Sequence, residues 1–382
     1  MIAAVLTGCS SDTPLRVPAE LPEVIKGNEK LVKGWSQKLS SDESEPTGAI
    51  TPVILQNSLF TASNSGEVAA YSLKKGKKLW EYDADQPIST GVAAAENLVV
   101  VVTRNGTIVA LSTKGKLLWT KKIAKEVLSP ALITPKTSDS SKVIVQGVDG
   151  SVIALAATDG SLAWRYSTSI PNLSLRGTNA PYLFEKNVIV GFSSGVLVAL
   201  DSNTGKVNWE RKLQNPVGQN EFDRLTDLDG TITRRENILF VPGYQGQFSA
   251  VEAYRGQVLW QKPNSSYQGA DFYVDRLYIV DTASHLQVLD YRTGDSQWVS
   301  KIFEYRDLSK PSVFGDYLLV GDFEGYVHLV DRFSAKVNDQ IKVGPAPITI
   351  IVDGEQAFAR AANGKLVQLK LKSIQGKKEE AS

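Results

Sequence analysis

The sequence predicts an all-β fold: an eight-bladed β-propeller of four-stranded antiparallel blades. Three observations carry this expectation. A segment ending in tryptophan recurs along the chain, glycines stand at fixed offsets inside it, and incomplete copies at the two ends complement one another. GEVAAYSLKKGKKLW ends at Trp80, GTIVALSTKGKLLW at Trp119, GSVIALAATDGSLAW at Trp164 and GVLVALDSNTGKVNW at Trp209. GQFSAVEAYRGQVLW ends at Trp260 and the looser SHLQVLDYRTGDSQW at Trp298. A degenerate copy, GYVHLVDRFSAKVND, starts at Gly325, and a half copy, GKLVQLKLK, at Gly364. With Trp35, all 7 tryptophans of the chain belong to the pattern.

Each copy alternates apolar and polar residues, as at Val109 and Leu111 or Val198 and Leu200, the period-two signature of a half-buried strand. A glycine turn follows (Gly76, Gly115, Gly160, Gly205, Gly256, Gly294), suited to a hairpin position that needs positive φ. The tryptophan strand comes next. Two further strand candidates precede each copy, often after a proline, as at Pro130, Pro181 and Pro311. Four strands per period of about 40–45 residues is the signature of propeller blades. Radial stacking then buries both faces of each sheet, and one tryptophan per blade fills the gap to its neighbour with an indole N–H available to donate. The strands led by residues 66, 106, 150, 195, 246, 284, 325 and 364 give eight blades. The last copy stops before its tryptophan strand, whereas KLVKGWSQKL around Trp35 is such a strand without its predecessors. The N-terminal strand is therefore expected to complete the last blade, removing the free edges of an open ring.

Composition narrows the function classes. Lys+Arg at 42 against Asp+Glu at 41 leaves a net charge of +1, without the basic excess of a nucleic-acid binder. Apolar runs such as Leu98 to Val102 are far shorter than the ~20 residues of a membrane-spanning helix. The single cysteine forms no internal disulfide and no metal cluster by itself. Cys9 closes Leu6-Thr7-Gly8-Cys9 after a short apolar run, which resembles the lipobox of bacterial lipoproteins, where the cysteine is lipidated. No positive stretch precedes that run, so the natural start is expected upstream. Ser10, in place of Asp, resembles lipoproteins sent on to the outer membrane. The expected organisation is a signal-peptide remnant and lipobox at 1–8, a lipidated flexible tether at 9–30, the propeller at 31–372 and a charged tail at 373–382.

Two stretches break the repeat. SIPNLSLRGTNAP runs from Ser169 to Pro181, and QNPVGQNEFDRLTDLDGT from Gln214 to Thr231. Both occupy the same slot, the connection from the outer strand of one blade to the inner strand of the next, and they belong to successive blades. They are expected side by side around one mouth of the channel. Leu173, Leu175 and Arg176 in the first, with Asp223, Arg224, Asp227 and Asp229 in the second, give apolar residues beside a bidentate cation and carboxylates. An interface hot spot has that composition. So does an internal arrangement in which the leucines cap the blade core and Arg176 pairs with a neighbouring carboxylate; the residues alone support both. Asp227-Leu228-Asp229-Gly230 matches the opening of a calcium loop whose remaining ligands are missing, and a plain turn accounts for it.

Taken together, the lipobox, the eight Gly…Leu…Gly-Lys-x-x-Trp copies, SLRG before Ala-Pro, and DRLTDLDGT resemble the BamB family over nearly the whole chain. This resemblance implies a non-catalytic lipoprotein scaffold of the machinery that inserts β-barrels into the bacterial outer membrane. It would be anchored there and face the periplasm, docked on the periplasmic POTRA domains of BamA. The resemblance assigns docking to Leu173, Leu175, Arg176, Asp227 and Asp229, with Arg224 as a neighbour. It implies no cofactor, metal or nucleic acid; unfolded outer-membrane proteins are a further partner that blade edges could accept by strand addition. The repeat also resembles quinoprotein dehydrogenases, which need an Asp base, a calcium site and a platform for the quinone; no matching constellation stands out here. The 2 histidines, His285 and His328, sit at strand positions inside repeats and read as packing or rim residues. A generic envelope adaptor shares every feature except the two irregular connectors.

Overall fold

The computed structural model describes residues 16–25, 27–39, 50–136, 141–171, 179–215, 227–228, 230–244, 246–264, 266 and 268–374. Among them, eight four-stranded antiparallel sheets follow one another around a ring. Blades one to seven span residues 53–83, 93–122, 132–167, 182–212, 233–263, 271–300 and 312–342, each running from its inner to its outer strand. Blade eight takes three strands from residues 349–373 and its outer strand from Glu29–Lys38. The joint closure expected from the two incomplete copies is present, with Leu31 opposite Leu371 and Gln37 opposite Leu366.

The second and third strands of the blades are buried on both faces, as radial stacking requires, while the outer strands keep exposed positions. In blade two, Leu98, Val100 and Val102 pack against Val143 and Val145 of blade three. The intervening Val99 and Val101 pack against Phe60 and Val68 of blade one. Each side chain so buried contributes about 1.5–3 kcal/mol, and no blade could secure it without two neighbours. The small residues between the apolar ones, such as Ala110 and Ala199, are also fully buried. Their size has a reason: each stands opposite the tryptophan of its own blade (Ala110 with Trp119, Ala199 with Trp209), and the register shifts by one residue just beyond.

That tryptophan clamps the next blade. The Trp164 indole donates to the carbonyl of Ser202 at 2.9 Å, and the ring lies against Gly205. Gly205 has φ of 71°, and a Cβ on it would stand 2.6 Å from the Trp164 ring. Backbone conformation and space therefore both exclude a side chain. The same pair of contacts joins Trp35 to Leu73 and Gly76, Trp80 to Thr113 and Gly115, and Trp119 to Ala157 and Gly160. Trp209 reaches Ala253 and Gly256, and Trp260 reaches Tyr291 and Gly294. The clamp weakens at blade seven. Trp298 has a buried Nε1 without an acceptor, and Ala335, with φ of 58°, stands where the turn glycine should be. Across the next interface Asp339 replaces the tryptophan opposite Leu329, and its carboxylate accepts the Leu31 N–H at 2.7 Å.

The stretch expected as a flexible tether over 9–30 behaves differently where it is described. Residues 16–25 run down the outside of blades six and seven as a strap. The Ala19 N–H donates to the Glu304 carbonyl and the Ile25 N–H to the Val337 carbonyl, both at 2.8 Å, and Val24 packs on the core shared by these two blades. At the other terminus, Ile374 donates to the Asn28 carbonyl at 2.7 Å, so the start of the expected tail is paired. Residues 1–15 and 375–382, including Cys9, lie outside the described residues.

The uneven clamps make a comparison possible. Trp164→Phe removes a ring's worth of packing and leaves the Ser202 carbonyl without its donor, whereas Trp298→Phe removes packing alone. Trp164→Phe should therefore cost about 1–3 kcal/mol more than Trp298→Phe, the penalty of an unsatisfied buried partner. Urea unfolding midpoints of the two variants measure it; equal losses would show that the indole hydrogen bond is not what fixes the interface.

Candidate docking face

Antiparallel four-stranded blades leave every blade-to-blade connector on one mouth, together with the turns between second and third strands. Hydrogen bonds from the ends of the outer strands to those turns show the arrangement: Thr168 N–H to the Gly150 carbonyl at 3.1 Å, and Leu213 N–H to the Gly195 carbonyl at 2.9 Å. The two irregular connectors, 168–181 and 213–232, are thus rooted on the same mouth at blades three, four and five. Leu173, Leu175 and Arg176 lie outside the described residues, as do Asp223, Arg224 and Asp229. The described residues on either side show how the connectors are held.

Both connectors are gripped at their roots. Gln214 leaves blade four with a buried side chain that fills the notch at Gly243 and Gly246. A Cβ on Gly243 would stand 1.4 Å from its Nε2, so only glycine admits it. The return end of the same connector is pinned at Asp227, which pairs with Tyr244 in an isolated antiparallel bridge, the Tyr244 N–H donating at 3.0 Å. Asp227 is 2 % exposed; its carboxylate sits at the root of the connector and not on its rim. Leu228 is fully buried in the core shared by blades four and five. It lies over Gly191, where a Cβ would come within 2.7 Å of the Leu228 carbonyl oxygen. Gly191 is fixed in turn by Gln146 of blade three, whose Nε2 donates to its carbonyl at 2.8 Å.

The connectors are also tied to one another. Asn179, the last polar residue of SLRGTNAP, is 1 % exposed and donates from Nδ2 to the carbonyl of Gly230 at 3.1 Å. The end of one connector therefore holds the end of the next, as their shared slot led us to expect. Asn179, Gln214, Leu228 and Gln146 were not singled out by the sequence pattern. The usable signal was Leu228, an apolar residue between two aspartates, which a solvent-exposed turn has no reason to contain.

The arrangement presents fixed roots beneath two long connectors, suited to holding a partner. The two histidines are engaged elsewhere. His328 is fully buried between Asp322 (Nε2 at 3.0 Å) and Gln340 (Nδ1 at 3.1 Å), out of reach of any substrate. Burial alone would raise the Asp322 carboxyl, but hydrogen bonds from His328, Arg306 and the Tyr326 N–H prevail and hold it below its ordinary value. His285 lies between Asp281 at 2.9 Å and Glu304 at 3.1 Å, in the turn between the second and third strands of blade six.

If the roots fix the connectors, crowding them should cost stability at this mouth. Gly191→Ala forces a methyl against Leu228 and should lower stability by about 1–3 kcal/mol, with Asn179→Ala losing a comparable amount through the unpaired Gly230 carbonyl. Chemical denaturation checks both, and a Gly191→Ala midpoint equal to wild type would show that Leu228 is not locked in place.

Comparison with known proteins places the chain in a family. A family profile described as "Outer membrane protein assembly factor BamB" matches residues 33–112 and 64–300. The outer membrane protein assembly factor BamB of Pseudomonas aeruginosa is 33% identical over 369 residues, covering 96% of each chain. The crystal structure of BamB from Moraxella catarrhalis superposes with a TM-score of 0.80 at 28% identity, over 89% of this chain and 99% of that one. A quinohemoprotein alcohol dehydrogenase from Comamonas testosteroni also superposes, with a TM-score of 0.68 over 89% of this chain and 76% of that one. Its identity is only 12%, so the likeness is one of fold. Family profile and relatives, each spanning most of the chain, lead to one conclusion: this chain belongs to the BamB family of outer membrane protein assembly factors.

Proposed function

We propose that the protein is a non-catalytic scaffold of the outer-membrane β-barrel assembly machinery, docking on the periplasmic POTRA domains of BamA through its two irregular connectors. A lipid on Cys9 holds it to the outer membrane, and the propeller faces the periplasm. The observation that carries the reading is the tie between the connectors. Two successive connectors are each held at their roots and joined to one another by Asn179 and Gly230. A blade does not need that investment; a partner does. Leu173, Leu175 and Arg176 supply the apolar centre and bidentate cation of the contact, Arg224 and Asp229 its polar margin. Asp227 acts from beneath, fixing the connector that carries them.

A rigid platform suits this role because it positions a flexible arm without chemistry of its own. Pre-formed roots spare the complex part of the ordering cost that a free loop would impose on binding.

The test is binding of purified BamA periplasmic domains to the soluble body from Ser10 onward, wild type against Leu173→Ala/Leu175→Ala/Arg176→Ala, with folding checked by circular dichroism. Loss of about 3 kcal/mol of contact energy would weaken binding by roughly 100-fold. A folded triple variant that binds like wild type would place the contact elsewhere. If wild type itself does not bind, the propeller serves another envelope partner.

A further inference from the structure

The strap over residues 16–25 crosses the ring where the tryptophan clamps fail. Between blades six and seven, Trp298 lacks an acceptor and Ala335 replaces the turn glycine; between seven and eight, Asp339 replaces the tryptophan. Val24 adds apolar cover to the first of these interfaces. A groove of about 470 Å³ separates Ala19–Ile25 from Ser300, Ile302 and the turn before Val337. The strap is thus part of the molecule's wall, and its direction can be read from its contacts. Its Ile25 end meets the start of the outer strand of blade seven, at the mouth opposite the connectors. Its Arg16 end meets the connector between blades six and seven: the Arg16 guanidinium lies over the Tyr305 ring at 5.9 Å, and Ala19 bonds to Glu304.

Arg306 locks that end. It is 2 % exposed, donates from Nη1 to the Ala19 carbonyl at 2.8 Å, and from Nε and Nη2 to Asp322 at 3.0 and 2.6 Å. Glu324 accepts from Nη2 as well. A buried guanidinium with its carboxylate already satisfied, yet with one nitrogen turned to a backbone carbonyl of the strap, is a built clamp for that segment.

We propose that the strap orients the propeller on the membrane: docked by Arg306, it delivers the chain toward its anchor from the connector mouth beside blades six and seven, so that this end of the molecule is held toward the bilayer. The inference rests on lipidation of Cys9 as proposed above. The geometry of the leash decides it. From Arg16 to Cys9 the chain reaches at most about 25 Å, at roughly 3.3–3.6 Å per residue. Without the docked strap the leash would start at Glu29, on the opposite mouth, and reach about 70 Å, enough for either mouth to face the membrane. Docking converts a leash that cannot orient the ring into one that does. The two irregular connectors then open on the same membrane-facing mouth, displaced around the ring toward blades three to five.

The experiment uses the lipidated full chain in vesicles of phosphatidylethanolamine and phosphatidylglycerol carrying an acceptor dye. A donor is attached at Lys301→Cys or at Asp295→Cys, residues just beyond the two ends of the outer strand of blade six, one at each mouth. Energy transfer should be at least about two-fold higher from position 301 than from position 295. In Ala19→Pro/Val24→Asp, which alters only the strap and leaves every blade residue in place, that difference should collapse. Equal transfer from both positions in the unmodified strap, a reversed order, or an unchanged difference in the strap variant would overturn the inference. Mass spectrometry of the same sample separates the two readings. A chain without lipid on Cys9 overturns the anchoring reading and this inference with it, whereas a lipidated chain without orientation overturns this inference alone.

Discussion

Around most of the ring, each blade is held to the next by an indole plate lying on a bare glycine, its N–H bonded to a carbonyl beside that glycine. The two halves of this contact answer different problems. The plate removes apolar surface between two twisted sheets that cannot otherwise close on each other. The hydrogen bond fixes where along the strand the plate sits, since a buried N–H without a partner is costly. The glycine is demanded twice over, by positive φ and by the ring above it. Once these contacts set the register, the eight sheets have one way to stack, and the closing strand at Trp35 obeys the same rule, bonding to Leu73 at 2.7 Å. What lies outside the clamp is free to vary, and the variation in this chain gathers at the connectors of one mouth and at the strap.

This division explains what could be read from the sequence. Trp119 and Gly115 carry their meaning locally, because the spacing between turn and plate lies within one hairpin; the number of blades and the joint closure followed. The irregular connectors were visible as departures from a known template. Their supports were not. Asn179 reaches Gly230 and Gln214 fills the notch at Gly243 through the ring, and nothing in local spacing marks a residue whose partner is a blade away. Ala110, between Val109 and Leu111, is small because it faces Trp119 across the hairpin. The segment from Arg16 to Ile25, polar and dotted with prolines, has the composition of a tether. Its docking depends on Arg306, nearly three hundred residues away in sequence.

The same ring superposes on a quinohemoprotein dehydrogenase at 12% identity, so the propeller itself does not decide function. The blades supply stiffness and a circular set of attachment points. In this chain both histidines are tied to carboxylates, one wholly inside blade seven, while the connectors between blades three and five are lengthened and rooted. The residues that depart from the repeat are those that give a surface its identity, and here they gather on the mouth proposed to dock the partner.

The central claim is that the two irregular connectors are the face on which the partner sits. Hydrogen–deuterium exchange of the wild-type chain, alone and saturated with BamA periplasmic domains, tests it without altering a residue. The account predicts slowed exchange confined to peptides covering residues 169–181 and 214–231, with the outer strands and the opposite mouth unchanged. Protection on the outer strands or on the opposite mouth, with these two peptides unaffected, would contradict it.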